Sequence, residues 1–171
     1  YLYRMGVCGA AKPNPGHLAL IEMERQFGDR FTLITQNVDG LHLRAGNTLP
    51  RTYQIHGNVF YMRCSLECSE AVYPIPEAVK PKTKEEQLSD SDRGHLRCPL
   101  CGARSRPHIL LFDESYNEHH YNFHSSIQAA RQTALLIVVG TAGATNLPNQ
   151  VAREVYQHDG VIIDVNIATN P

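Results

Sequence analysis

Residues 135–166, LLIVVGTAGATNLPNQVAREVYQHDGVIIDVN, decide the fold class. LLIVVG (135–140) is a continuous apolar run ended by glycine, and it reads as a buried strand. LPNQVAREVYQHDG (147–160) reads as a helix, with Pro148 in its first turn and Gly160 just past its end. VIIDVN (161–166) is a second strand. A strand, a crossover helix and another strand make a parallel pair.

The same alternation extends outward. NPGHLALIEMERQFGDR (14–30) reads as a helix capped by Asn14, with Pro15 in the first turn. Leu18, Ile21 and Phe27, flanked by Leu20 and Met23, form its apolar stripe, and Gly28 ends it. FTLIT (31–35), NVFYMRC (58–64) and PHILLF (107–112) read as strands, and HHYNFHSSIQAARQTA (119–134) as a helix. Strands apolar on both faces, alternating with helices, predict an α/β fold: a parallel sheet covered by helices. The stretch 64–101 interrupts this pattern, and 74–97 is rich in Pro, Lys, Glu and Ser. The expected organisation is one domain from 1–63 and 102–171, with a small inserted module at 64–101.

Bulk properties narrow the function. The chain has 171 residues, 42% of them hydrophobic, and a net charge of −1. That charge gives no general attraction to nucleic acid or anionic membrane, which disfavours a zinc-ribbon nucleic-acid binder. No apolar run approaches a membrane span. The opening YLYRMGVCGAAKPNPGH does not read as a secretory leader. It starts without Met and inside an element, so a segment of a longer polypeptide is expected. Four of the five cysteines form two close pairs, Cys64/Cys68 and Cys98/Cys101. Without a secretory signal, this spacing favours a metal over disulfides and an intracellular, reducing, cytoplasmic setting.

Four constellations could carry chemistry. The cysteines satisfy a closed tetrahedral Zn2+ of the structural kind, although Cys64-x3-Cys68 is one residue wider than the commonest knuckle. Cys8 reads as a small core residue. Gln36, Asn37 and Asp39 follow a strand, at the sheet edge where open parallel sheets bind ligands. A plain turn of Asn, Asp and Gly explains the same residues. GTAGATNLP (140–148) places small residues between a strand and a helix N-terminus, which suits a phosphate; an ordinary turn capped by Asn146 is the alternative. Asn166 sits on the same edge. His56, in IHG, is a candidate base. His17, His42, His119, His120 and His124 lack such a setting and are read as structural or solvated.

Together these stretches resemble the sirtuin family of NAD-dependent protein lysine deacylases. KPNPGH (12–17), TQNVDGLHLRAG (35–46), IHGN (55–58), the two cysteine pairs, RPHILLFDE (106–114), GTAGATNLP and DVN (164–166) occur in the family's order over nearly the whole chain. The resemblance implies a Rossmann-like domain plus a zinc module, with NAD as co-substrate and acyl-lysine proteins as partners. It implies that Gln36, Asn37 and Asp39 line the nicotinamide-ribose pocket, that Val38 offers backbone to the carboxamide, and that His56 and Asn37 are catalytic. Gly140, Thr141, Ala142 and Asn166 match positions around the adenosine half. Leu110 and Phe112 match the segment that holds the substrate peptide, and Cys64, Cys68, Cys98 and Cys101 match the zinc ligands. The implied products are free lysine, nicotinamide and O-acyl-ADP-ribose, with His56 as general base for a ribose hydroxyl.

Tyr1 and Arg4 match a Tyr-x-x-Arg pair that recognises acidic acyl groups in one sirtuin class, which points to succinyl- or malonyl-lysine. The forked Arg and the Tyr hydroxyl are suited to a carboxylate. Three departures stand out. The family's glycine-rich loop precedes the region equivalent to Tyr1, Ala142 replaces the usual Ser, and Asp113 replaces the usual Gly. They keep two other readings open: a non-catalytic zinc-module protein that binds acyl-lysine or ADP-ribose-like ligands, and a protein ADP-ribosyltransferase.

Overall fold

The computed structural model describes residues 1–167. Two helices open the chain. α1 (Leu2–Ala10) buries Met5 and stops just before Pro13. α2 (Pro15–Phe27) opens on a reciprocal cap: the Asn14 side chain accepts from the His17 N–H, and the His17 ring accepts from the Asn14 N–H. Gly28 closes α2, as expected.

β1 (Leu33–Thr35), α3 (Leu41–Ala45) and β2 (Thr52–Gln54) follow, and β1 pairs with β2 in parallel, Thr35 opposite Gln54. The buried Glu24 carboxylate fixes α2 to this unit by accepting from Asn47 Nδ2 at 2.8 Å and from the Thr48 N–H at 3.1 Å. Next come β3 (Gly57–Cys64), β4 (Val72–Pro74), α4 (Asp90–His95) and β5 (Ser105–Ile109). β3 is the middle strand of an antiparallel sheet in the order β4-β3-β5. Met5, Val59 and Ile109 form a buried cluster against which Leu2, Cys8, Val38, Phe60 and Ile75 pack. Cys8 is thus a partly buried core residue, as expected.

α5 (Glu118–Tyr121), α6 (Phe123–Arg131), β6 (Leu135–Val139), α7 (Asn146–Gln157) and β7 (Val161–Val165) complete the order. The chain forms two compact units, one of residues 1–115 with 119–121, the other of 116–118 with the residues from 122 onward. In the second unit β6 and β7 pair in parallel along their whole length, and α7 contacts both strands. No helix among the described residues is long and apolar enough to cross a membrane.

Several expectations change. The strand expected at 107–112 spans Ser105–Ile109 and runs antiparallel to β3, leaving 110–112 outside the ladder. The helix expected at 119–134 breaks at Asn122, whose backbone is left-handed (φ 52°). The helix after β6 starts at Asn146, with Thr145 rather than Asn146 at the cap. The 74–97 excursion is mostly solvated but contains α4, capped by Ser89 and Asp92. The largest correction concerns burial. LLIVV and VIIDV are strands but not buried ones: Val139 is 66% and Val161 60% exposed. α7 covers them through Leu147, Val151 and Val155, and the described part of this unit supplies no second layer.

Candidate active site

The stretch 35–40 is held as a shaped turn. The Thr35 hydroxyl accepts from the Asn37 N–H at 3.1 Å, and Asp39 Oδ1 accepts from the Leu41 N–H at 2.9 Å, setting the start of α3. Three hydrogen bonds then lock this turn to residues 55–59. Ile55 N–H donates to Thr35 O at 3.1 Å and Val59 N–H to Val38 O at 2.9 Å. Between them, His56 Nδ1 lies 3.0 Å from Gln36 O. The ring of residue 56 is therefore beside the polar turn, as the sequence reading required.

That contact also fixes the ring's chemistry. A carbonyl oxygen only accepts, so Nδ1 carries the proton and Nε2 the lone pair. Burial pushes the His56 pKa below its ordinary value, against the Gln36 bond, which raises it. A half-buried neutral imidazole with a fixed tautomer is suited to general-base work. Gly57 makes the docking possible: its φ is +83°, and a Cβ there would lie 2.0 Å from the His108 carbonyl oxygen.

Two polar residues absent from the sequence-derived set join this region. Asn58, buried, donates from Nδ2 to Gln54 Oε1 at 2.7 Å, and its own Oδ1 accepts from the Phe60 N–H at 3.0 Å. Gln54 borders the same small gap as Asn37 and Asp39. The signal for them was available in principle, since Gln54 ends β2 and Asn58 follows His56 and Gly57.

In the second unit, Gly140, Thr141 and Ala142 lie at the carboxyl end of β6. Gly140 N–H donates to Val165 O at 3.1 Å, and Asn166 Nδ2 donates to Thr141 O at 2.6 Å. The loop and Asn166 thus share one edge. Asn149 Nδ2 closes the loop on Gly143 O at 2.7 Å.

The four cysteines converge. All four Sγ atoms lie within 4.8 Å of one another, with Cys64···Cys101 and Cys68···Cys98 each at 3.6 Å. Sulfurs about 2.3 Å from a tetrahedral Zn2+ sit just under about 4 Å apart, so the set fits that ion. Backbone N–H groups of Cys68 and Leu66 point at Cys64 and pull its thiol down to about 6; those of Cys101 and Leu100 lower Cys98. Cys68, ringed by the other sulfurs, is pushed up to about 12, and a dication is the charge that would reverse this. The wider first spacing is accommodated by Glu67, which takes a left-handed backbone (φ 49°).

The remaining expected residues lie at two other places in the first unit, the start of α1 and the stretch after β5. Tyr1 precedes α1 and Arg4 lies in its first turn, both exposed. Leu110 follows β5 and is tied to the site by its N–H, which donates to His56 O at 3.0 Å. Phe112 is fully exposed.

Comparison with known proteins follows the same residues. The sequence pattern of the Sir2 family matches residues 1–146. An NAD-dependent protein deacylase of Leptospira interrogans is 37% identical across 97% of this chain and 61% of its own length. Its namesakes in Thermus thermophilus and Pyrococcus furiosus are each 33% identical, over 100% and 98% of this chain and 61% and 62% of theirs. A solved Sir2 homologue–NAD complex superposes with a TM-score of 0.81 at 29% identity, covering 100% of this chain and 60% of that one. A Sir2–p53 peptide–NAD+ complex gives 0.72 at 28% identity, covering 94% and 61%. The chain thus spans about three fifths of the length of the relatives it matches, and it shares their Rossmann-like α/β fold. With the family pattern running from its first residue to the head of α7, this chain belongs to the Sir2 family.

Proposed function

We propose that this chain carries NAD-dependent removal of acyl groups from protein lysines. The observation that supports it most directly is the 3.0 Å contact between His56 Nδ1 and Gln36 O, which joins an imidazole of fixed tautomer to a turn of amides and a carboxylate. NAD supplies the electrophilic ribose carbon and accepts the acyl group. The residues of this chain do the rest. Gln36, Asn37 and Asp39 hold the nicotinamide-ribose end. Val38 offers its N–H to the carboxamide, its carbonyl being engaged by Val59. His56 Nε2 takes the proton of a ribose hydroxyl, which requires the ring to be neutral near pH 7, the state its burial favours. Gly140, Thr141, Ala142 and Asn166 take the adenosine end.

Residues 64–101 are assigned as a structural Zn2+ module within a domain of 1–63 and 102–171, with Cys64, Cys68, Cys98 and Cys101 as ligands that take no part in the reaction. Thiols kept for a metal belong in a reducing compartment. Leu110 and Phe112 receive the acyl-lysine segment of a partner protein. Tyr1 and Arg4, exposed at the start of α1, are assigned to a carboxylate-bearing acyl group, succinyl or malonyl. The test is a panel of acetyl-, malonyl- and succinyl-lysine peptides with and without NAD, followed by nicotinamide release. Release should require both NAD and an acyl group. Arg4→Met should lower desuccinylation at least about tenfold more than deacetylation, the loss of one charge-assisted hydrogen bond. Equal losses discard the acidic-acyl assignment, and no release from any peptide discards the deacylase reading.

A further inference from the structure

We propose that Glu114 is a positioning residue that clamps the 110–113 segment for the incoming acyl-lysine peptide. This rests on the reading that Leu110 and Phe112 meet that peptide. The segment leaves the β5 ladder after Ile109, so its backbone is not held by strand pairing. Leu110 is tethered to His56 by one hydrogen bond. Beyond it, the turn is held by the Glu114 carboxylate and one backbone hydrogen bond. Glu114 Oε2 accepts from the Leu111 N–H at 2.8 Å and from Arg106 Nη2 at 2.9 Å. Oε1 accepts from Arg63 Nη2 at 2.7 Å and also from Arg106 Nη1. The Glu114 N–H returns to Leu111 O at 3.0 Å, which closes a tight turn with Phe112 and Asp113 exposed at its tip.

The anchor behind this clamp is rigid. Arg63 is 3% exposed and projects from β3, the middle strand. Its other amino nitrogen holds Glu67 Oε1 at 2.6 Å, inside the Cys64–Cys68 turn. One guanidinium therefore joins the thiol cluster to the segment. Burial by itself would raise the Glu114 pKa, but the Leu111 N–H and the two arginines outweigh it and hold the carboxylate ionised. Charge-assisted, bidentate bonds with both partners largely shielded hold geometry well. A segment already ordered pays less entropy when a peptide binds along it.

Glu114→Gln keeps the shape and removes the charge. Three readouts separate the roles: amide exchange at Leu111, the affinity for an acetyl- or succinyl-lysine peptide by fluorescence anisotropy, and the affinity for ADP-ribose. The expected result is faster Leu111 exchange, peptide binding weakened about tenfold and unchanged ADP-ribose binding. Arg106→Gln leaves Arg63 in place and should give a smaller peptide loss of the same pattern; it carries the test if Glu114→Gln does not fold. Peptide affinity unchanged in the folded variants, or lost in step with ADP-ribose affinity, overturns the clamp and leaves the substrate reading standing. If the unaltered chain shows no acyl-dependent peptide binding, the substrate reading itself fails and the clamp with it.

Discussion

The molecule contains two parallel strand pairs, and they differ in an instructive way. β1–β2 is short and carries Thr35 and Gln54, yet its carboxyl end runs into Ile55 and Val59, both fully buried. β6–β7 is longer and almost wholly apolar, yet its side chains are largely exposed. Apolar content states what a strand needs. Burial depends on which other elements reach it. β1–β2 runs straight into the buried 55–59 stretch, with Ile55 N–H bonded to Thr35 O and Asn58 Nδ2 to Gln54 Oε1, whereas the described residues of β6–β7 are covered mainly by α7 within their own unit. Chemistry follows cover: the desolvated imidazole is at the end of the first pair, and the open glycine loop at the end of the second.

The sharpest way to break this contrast is at the imidazole. His56→Tyr should lower deacylation about 10³-fold with the melting temperature nearly unchanged. Full activity in that variant ends the mechanism. The next test uses two glycines of positive φ. Gly57→Ala drives a Cβ into the His108 carbonyl and should cost more than about 3 kcal/mol in a urea titration. Gly140→Ala has no atom within 4 Å and should cost only about 1 kcal/mol, the left-handed backbone penalty. Similar costs at both sites would mean the two strand ends are equally confined.

A third test is acid. His108 stacks on Tyr121 and meets the edge of His120. Burial first, then His120, Arg63 and Arg106, push its pKa down to about 4, with Glu114 opposing. The unfolded ring has the ordinary value near 6.5, so between these values the unfolded chain binds a proton that the folded one refuses. Stability should therefore be intact above about pH 6.5 and fall by up to about 3 kcal/mol as pH drops toward about 4. His108→Gln should flatten that slope; an unchanged slope assigns it elsewhere. The smallest effect belongs to the open ladder. Ile163→Lys should change stability by less than about 0.5 kcal/mol, against about 2 kcal/mol for Val59→Ala. A large loss at Ile163 would show that its face is covered in solution.

Much of this was legible beforehand, for local reasons. Asn14, Pro15 and Gly28 delimit α2 because caps and breakers act within a turn. The positions of Gln36–Asp39 just past a strand and of His56 just before another were readable locally, while their meeting was implied only by the family resemblance. Four cysteines at knuckle spacings found each other. What stayed hidden depends on distant partners. The direction of β5 is set by pairing with β3, and no residue in PHILLF encodes it. The Asn122 break reflects a left-handed residue inside an otherwise helical run. The role of Glu114 depends on Arg63 and Arg106 converging on it from 51 and 8 residues away, and the exposure of LLIVV depends on layers no strand can announce.

The hydrogen bond from His56 to Gln36 has a consequence for how the ring would respond to occupancy. The acceptor that raises the proton affinity of this imidazole belongs to the very turn assigned to the nicotinamide ribose. Any ligand that draws the Gln36 carbonyl away makes the ring a weaker base, and any ligand that presses it closer makes it a stronger one. Base strength here is thus a readout of where the turn sits, and titrating residue 56 by NMR with and without ligand would measure that displacement in pH units.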